Sequence, residues 1–146
     1  MQTRVGLVLT GLAAVLLLLA AGLWLHTTRL AIHEEVEAAS RVSRQWLRVA
    51  LGSPDGLPLA EGEARLLTIA REIGRVRANE LRIDAADGTA VYVSPAPTYK
   101  AGRTAPAWFA ALLASDYPVH RQVVGDLHLS LIPDPSRAQL DAWDEL

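Results

Sequence analysis

The chain contains no cysteine. That excludes disulfides and thiolate metal sites but leaves the compartment open, since many exported domains use none. The short patterns that mark common catalysts are also missing. There is no G-x-S-x-G, no H-E-x-x-H and no glycine-rich phosphate loop. The adjacent pairs Glu34-Glu35 and Asp144-Glu145 fall on predicted helices, where neighbours point apart and make a poor acid/base pair. No internal repeat or low-complexity tract interrupts the chain. A strong charge of one sign is lacking too. From His26 onward there are 13 Lys and Arg (14 less Arg4) against all 16 Asp and Glu, a balance that argues against a nucleic-acid face. The segment is expected to be neither an enzyme nor a cofactor or metal carrier.

The longest absence of charge is itself a signal. Val5 to Leu25 reads VGLVLTGLAAVLLLLAAGLWL, 21 residues without a charged side chain. At about 1.5 Å per residue it spans roughly 30 Å, the hydrocarbon thickness of a bilayer. It is longer than a usual signal core and no small-residue cleavage site follows it. Trp24 suits an interfacial belt. An uncleaved anchor is therefore expected over a cleaved signal. Arg4 and the α-amino group precede the run, and His26 and Arg29 follow it. The simplest topology has a cytoplasmic tail at 1–4, a span at 5–25 and a translocated domain at 26–146.

His26 to Leu51 has no Gly or Pro and reads as a continuing helix. Ile32, Val36, Ala39, Ser43, Trp46 and Ala50 form one stripe at helical period. It serves either packing within the domain or a dimer seam. Glu34, Glu37, Arg41, Arg44 and Arg48 occupy the other side, with Glu37–Arg41 a favourable i,i+4 pair. Gly52-Ser53-Pro54-Asp55-Gly56 breaks the helix. A second helix is predicted from Leu59 to Ile73, with Leu59, Leu66, Ile69 and Ile73 on one face and Gly74 as its cap. Leu81, Ile83 and Ala85 alternate with Arg82 and Asp84 before an Asp87-Gly88 turn and Val91-Tyr92-Val93, a predicted hairpin.

A Pro-rich loop leads into a short helix with Thr104 as N-cap and Pro106 in its first turn. A second hairpin is predicted from Tyr117 to Ile132. A two-residue turn at Gly125-Asp126 would put His120 and Gln122 beside Leu127, Leu129 and Leu131. A three-residue loop, Val124 to Asp126, pairs Val123 with Leu127 and places His120, Gln122, His128 and Ser130 together on the outer face. The second register segregates polarity better and is the expected one. His120 and His128 then read as solvated, as do His26 and His33. Asp134-Pro135 opens a last helix through Leu140 and Trp143. That helix runs to Leu146 without a cap, as though more protein followed.

Two predicted hairpins with helices against one side of the sheet make an α+β domain of PAS-like type, behind an N-terminal transmembrane helix. The stretch LRIDAADGTAVYVSPAPTYKAGRTAPAWFAALL, followed by LIPDPSRAQLDAWDEL, resembles the LapD/MoxY-type N-terminal periplasmic domain of bacterial membrane signalling proteins. It covers roughly Leu81 to Leu146, with SPxPxYKxGRxAPxWF its specific part. The resemblance implies a PAS-like sensor, homodimeric, outside the bacterial inner membrane. A second span, then a histidine kinase or cyclic-dinucleotide module, would follow. LapD-like members recruit a periplasmic protease through a tryptophan near a strand loop. Val124-Gly125-Asp126 has none, which favours the histidine kinase branch of two-component systems.

Tyr99, Lys100 and Arg103 lead towards a helix N-terminus, where free N–H groups favour an anion. They are the candidate site for a small anionic ligand, against the alternative that the prolines stiffen a crossover, Trp108 and Phe109 fill the core and the cations are solvated. Signal transfer would run between the incoming helix (Ile32, Val36, Ala39, Trp46) and the outgoing one (Leu140, Trp143), which are also the candidate dimer residues. The partners expected are the membrane, a second copy, and a small anion or a periplasmic protein. The other class of function is a stand-alone, single-span envelope scaffold or adaptor.

Overall fold

The computed structural model describes residues 2–51, 59–76 and 78–146. Helix α1 runs unbroken over Gln2–Leu51, and α2 occupies Leu59–Ile73. Strands β1 (Asn79–Asp84) and β2 (Ala90–Val93) follow, then the short α3 (Ala107–Leu112). Strands β3 (His120–Val124) and β4 (Leu127–Pro133) lead into α4 (Ser136–Asp144). The chain is thus α+β, with a long apolar N-terminal helix and one four-stranded antiparallel sheet in the order β2-β1-β4-β3. By length and composition α1 can cross a membrane, a test that a signal sequence also passes. The predicted break at Gly52–Gly56 and the side chains of Ala50 and Leu59 lie outside the described residues.

Helices cover one face of the sheet. Leu81 and Ile83 of β1 and Leu127, Leu129 and Leu131 of β4 point inward at period two and meet Leu47 of α1 and Leu66 and Ala70 of α2. Full burial of each Leu or Ile contributes about 1.5–3 kcal/mol. A second cluster joins Ile32 and Val36 of α1 to Phe109 and Leu113, with Trp143, Ala138 and Ala142 of α4 packed against it. The α1 stripe is therefore Ile32, Val36, Ala39, Ser43 and Leu47. Trp46 does not belong to it: it is 47% exposed, while Leu47, one residue later, is 2% exposed. A helix with 3.6 residues per turn drifts against alternating steps of three and four, and here the fifth contact moves by one residue.

Asn79, wholly buried at the start of β1, ties the sheet to α1. Its Nδ2 donates to Ser43 Oγ at 3.3 Å, and Ser40 Oγ donates to its Oδ1 at 3.0 Å. On the other flank Arg75 pairs with Asp134. Asp134 Oδ1 also accepts the Ser136 N–H at 3.0 Å, a turn that leads into α4, but the helix opens at Ser136 with Pro135, not the predicted Asp134, as its N-cap. Gly74 closes α2 at φ +66°. Thr104 makes no cap: α3 starts beyond Pro106 and has no side-chain cap. Of the apolar residues in that segment, Phe109 and Leu113 are buried, but Trp108 stands exposed, its edge against Trp143.

The turn between β3 and β4 has two residues, so the expected register is overturned. Val124 faces Leu127, Gln122 faces Leu129 and His120 faces Leu131. Gly125 adopts φ +61°, and Glu63 of α2 reaches the turn, its Oε1 accepting the Asp126 N–H at 2.8 Å. A Cβ at Gly125 would lie 2.5 Å from that oxygen. A long-range contact thus meets the turn, and the register adopted is the one that segregates polarity less well. Val123 is left exposed, and His120 and Gln122 turn towards the helices. His128 pairs with Val123 and so lies on the open face, away from His120.

Candidate functional site

The structure brings Tyr99, Lys100 and Arg103 together, but around carboxylates. Lys100 is the one described non-glycine residue with positive φ, 49°. Arg137 Nη1 donates to its carbonyl at 2.7 Å and to that of Arg103 at 3.1 Å, holding the loop on α4. Lys100 Nζ then donates to Asp141 Oδ1 at 2.5 Å and to Asp144 Oδ2 at 2.6 Å. Arg103 Nη2 donates to Asp144 Oδ1 at 2.6 Å, and Tyr99 OH to Asp141 Oδ1 at 3.3 Å. Its hydrogen bonds to the Asp141 and Asp144 carboxylates raise the Lys100 ammonium above its usual range, and Lys100, then Arg103, hold Asp144 below its own. Each cation is matched within the chain, and the arrangement is a clasp between loop and helix.

A cleft of about 350 Å³ opens elsewhere, between α1 and the segment entering β3. His33, Val36, Glu37, Ser40 and Arg44 come from α1, and Tyr117 to His120 from the other wall, with Leu131 and Pro133 of β4. Apart from Val36, which belongs to the buried stripe, the α1 residues lie one step from it and follow the same helical spacing. The two rings of His33 and Tyr117 stack at 5.4 Å between centroids, 24° from parallel. His33 Nδ1 and Tyr117 OH are buried, and neither has a hydrogen-bond partner among the described residues. Burial raises the Tyr117 phenol above its ordinary range.

The charged groups of this cleft are less fully matched. Glu37 lies 3.8 Å from both Arg41 and His33 Nε2, the first being the predicted i,i+4 pair. Arg44 donates to the Ser40 carbonyl at 3.4 Å, and no ion pair engages it among the described residues. Beyond it Arg41, Gln45, Arg48 and His120 border an open continuation of the cleft. Burial first, then the charges of Arg44 and Arg48, keep His120 below the usual imidazole range, so it is neutral at pH 7. Reading His120 as solvated surface is thereby corrected, while the His33 side chain stays 41% exposed, as a surface residue should. The detectable signal was the stripe His33, Glu37, Ser40, Arg44, Arg48 beside the apolar one, but its other wall depended on the β3 register.

Ile32, Val36, Ala39 and Leu140 are buried within this chain, and Trp143 is partly so, while Trp46 is exposed. Among the described residues no group of three metal-ligating side chains converges. No protein-family model, curated protein or solved structure matches the chain.

Proposed function

We propose that this chain is the extracytoplasmic input region of a membrane-anchored bacterial signalling receptor. Residues 5–25 hold it in the inner membrane, and a PAS-like domain, from His26 on, faces the periplasm as a homodimer. The observation that carries this reading is the continuity of α1. One helix passes from the apolar segment into both hydrophobic clusters, and Ile32 and Val36 share a cluster with Ala138, Ala142 and Trp143 of α4. A packed core switches between discrete arrangements rather than deforming smoothly. Anything that favours one packing of α1 against α4 would therefore displace the apolar segment as well. The resemblance of Leu81 to Leu146 to LapD/MoxY-type domains supports the same reading, with a histidine kinase as the output.

Alkaline phosphatase fused behind Leu146 should be active in the bacterial envelope, and the coding frame should continue through a second apolar run of about 20 residues to an output module. An inactive fusion, or a stop codon at that point, overturns the receptor reading; the stop codon with an active fusion leaves an envelope scaffold.

A further inference from the structure

The geometry points to the cleft between α1 and β3 as the binding site of a small organic monocarboxylate, its carboxylate at Arg44 and His120 and its apolar body against Pro118 and Val119. A buried polar atom without a partner costs about 1–3 kcal/mol. His33 Nδ1 and Tyr117 OH are buried without partners behind the cleft wall, beside a guanidinium that no ion pair engages among the described residues. A guanidinium binds a carboxylate through two parallel N–H donors.

The opening is at the small end of the range for small-molecule pockets, about 300–1,000 Å³. Val36, Pro118, Val119 and Leu131 line it with carbon, which gives inorganic phosphate little to bind. Glu37 adds a negative charge to the wall and disfavours a multiply charged ligand. The clasp at Lys100 offers none of this, because its cations already hold carboxylates. The assignment deepens the sensory reading above but is measured as binding. A chain that binds and does not signal would overturn the receptor and leave the site.

Isothermal titration of the full chain in nanodiscs provides the test, with benzoate, isovalerate, benzamide and inorganic phosphate as probes. At least one of the two carboxylates should bind saturably, with benzamide and phosphate weaker by about tenfold or more. Arg44→Met should lose about tenfold or more in affinity. Val119→Trp, which fills the cleft from a partly exposed position, should abolish binding with the melting temperature preserved. Lys100→Met should bind like the parent. Failure of both acids to bind, equal affinity for benzoate and benzamide, phosphate as tight as the acids, or undiminished binding in the Arg44 variant would each overturn the proposal. Should Arg44→Met unfold the chain, Val119→Trp decides: undiminished binding overturns the proposal, and lost binding supports it.

Discussion

The clasp and the cleft lie on different flanks of α1 and reach opposite states. At the clasp, Lys100 and Arg103 meet Asp141 and Asp144 at hydrogen-bonding distance, and Tyr99 completes the set. At the cleft, a guanidinium without an ion pair among the described residues faces open volume, and an imidazole nitrogen and a phenol lie buried without partners behind the wall. The clasp carries the denser charge and is the more conspicuous in sequence. Its charges are consumed holding a loop to a helix. The cleft is electrostatically modest but incomplete, and incompleteness is what a ligand can exploit. Cation density alone is therefore a poor guide to an anion site; what matters is whether each donor has already found its acceptor.

The comparison can be broken at three levels, beginning with what supports both flanks. Phe109 is 2% exposed in the cluster that joins α1, α3 and α4. Phe109→Ala should lower stability by about 3–5 kcal/mol in denaturant titrations. A loss under 1 kcal/mol would mean that charge pairs, rather than this ring, hold the clasp side together. Next, Tyr117→Phe removes a buried hydroxyl that lacks a partner. It should leave the protein unchanged or more stable by up to about 1 kcal/mol. A marked destabilisation would show that the hydroxyl is already satisfied and the cleft is not incomplete.

The smallest effect belongs to the clasp itself. Lys100→Met should reduce stability slightly, and less at high salt, since part-exposed ion pairs are screened. Its pH signature follows from Asp144, whose folded-state value lies below the ordinary 3.8, first because of Lys100. A depressed carboxylate contributes stability that is present above its unfolded value and is lost as pH falls through the folded one. The parent should lose this increment on acidification below about pH 4, and the Lys100 variant should show a flatter acid limb in thermal melts. Parallel acid limbs would mean that Arg103 alone sets the Asp144 charge.

Much of the architecture was legible because it depends on local periodicity. The run from Val5 to Leu25, the second helix from Leu59 to Ile73 and the inward Leu81 and Ile83 each follow from spacing alone. So does the Gly74 cap, which sits at the φ that glycine tolerates. Legibility failed where a choice between near-equal local options was settled from a distance. Trp46 and Leu47 are both apolar, and only the position of the sheet decides which is buried. Thr104 is a good capping residue in isolation, yet the loop is drawn to α4 by Arg137 and the helix begins later. Lys100 and Arg103 were recognisable as cations, but Asp141 and Asp144, some forty residues on, were not recognisable as their partners.

The sequence by itself determined the apolar helix, the α+β order of elements and the inward face of β1, because each follows from the period of a helix or a strand. Tertiary structure alone decided the β3–β4 register. The two-residue turn directs His120 from the open face towards α1, and Glu63 of α2 accepts the Asp126 N–H of that turn. With it the second wall of the cleft comes into being. A side chain's face in a sheet alternates with every residue, so a register slip of one residue decides which wall a cleft has.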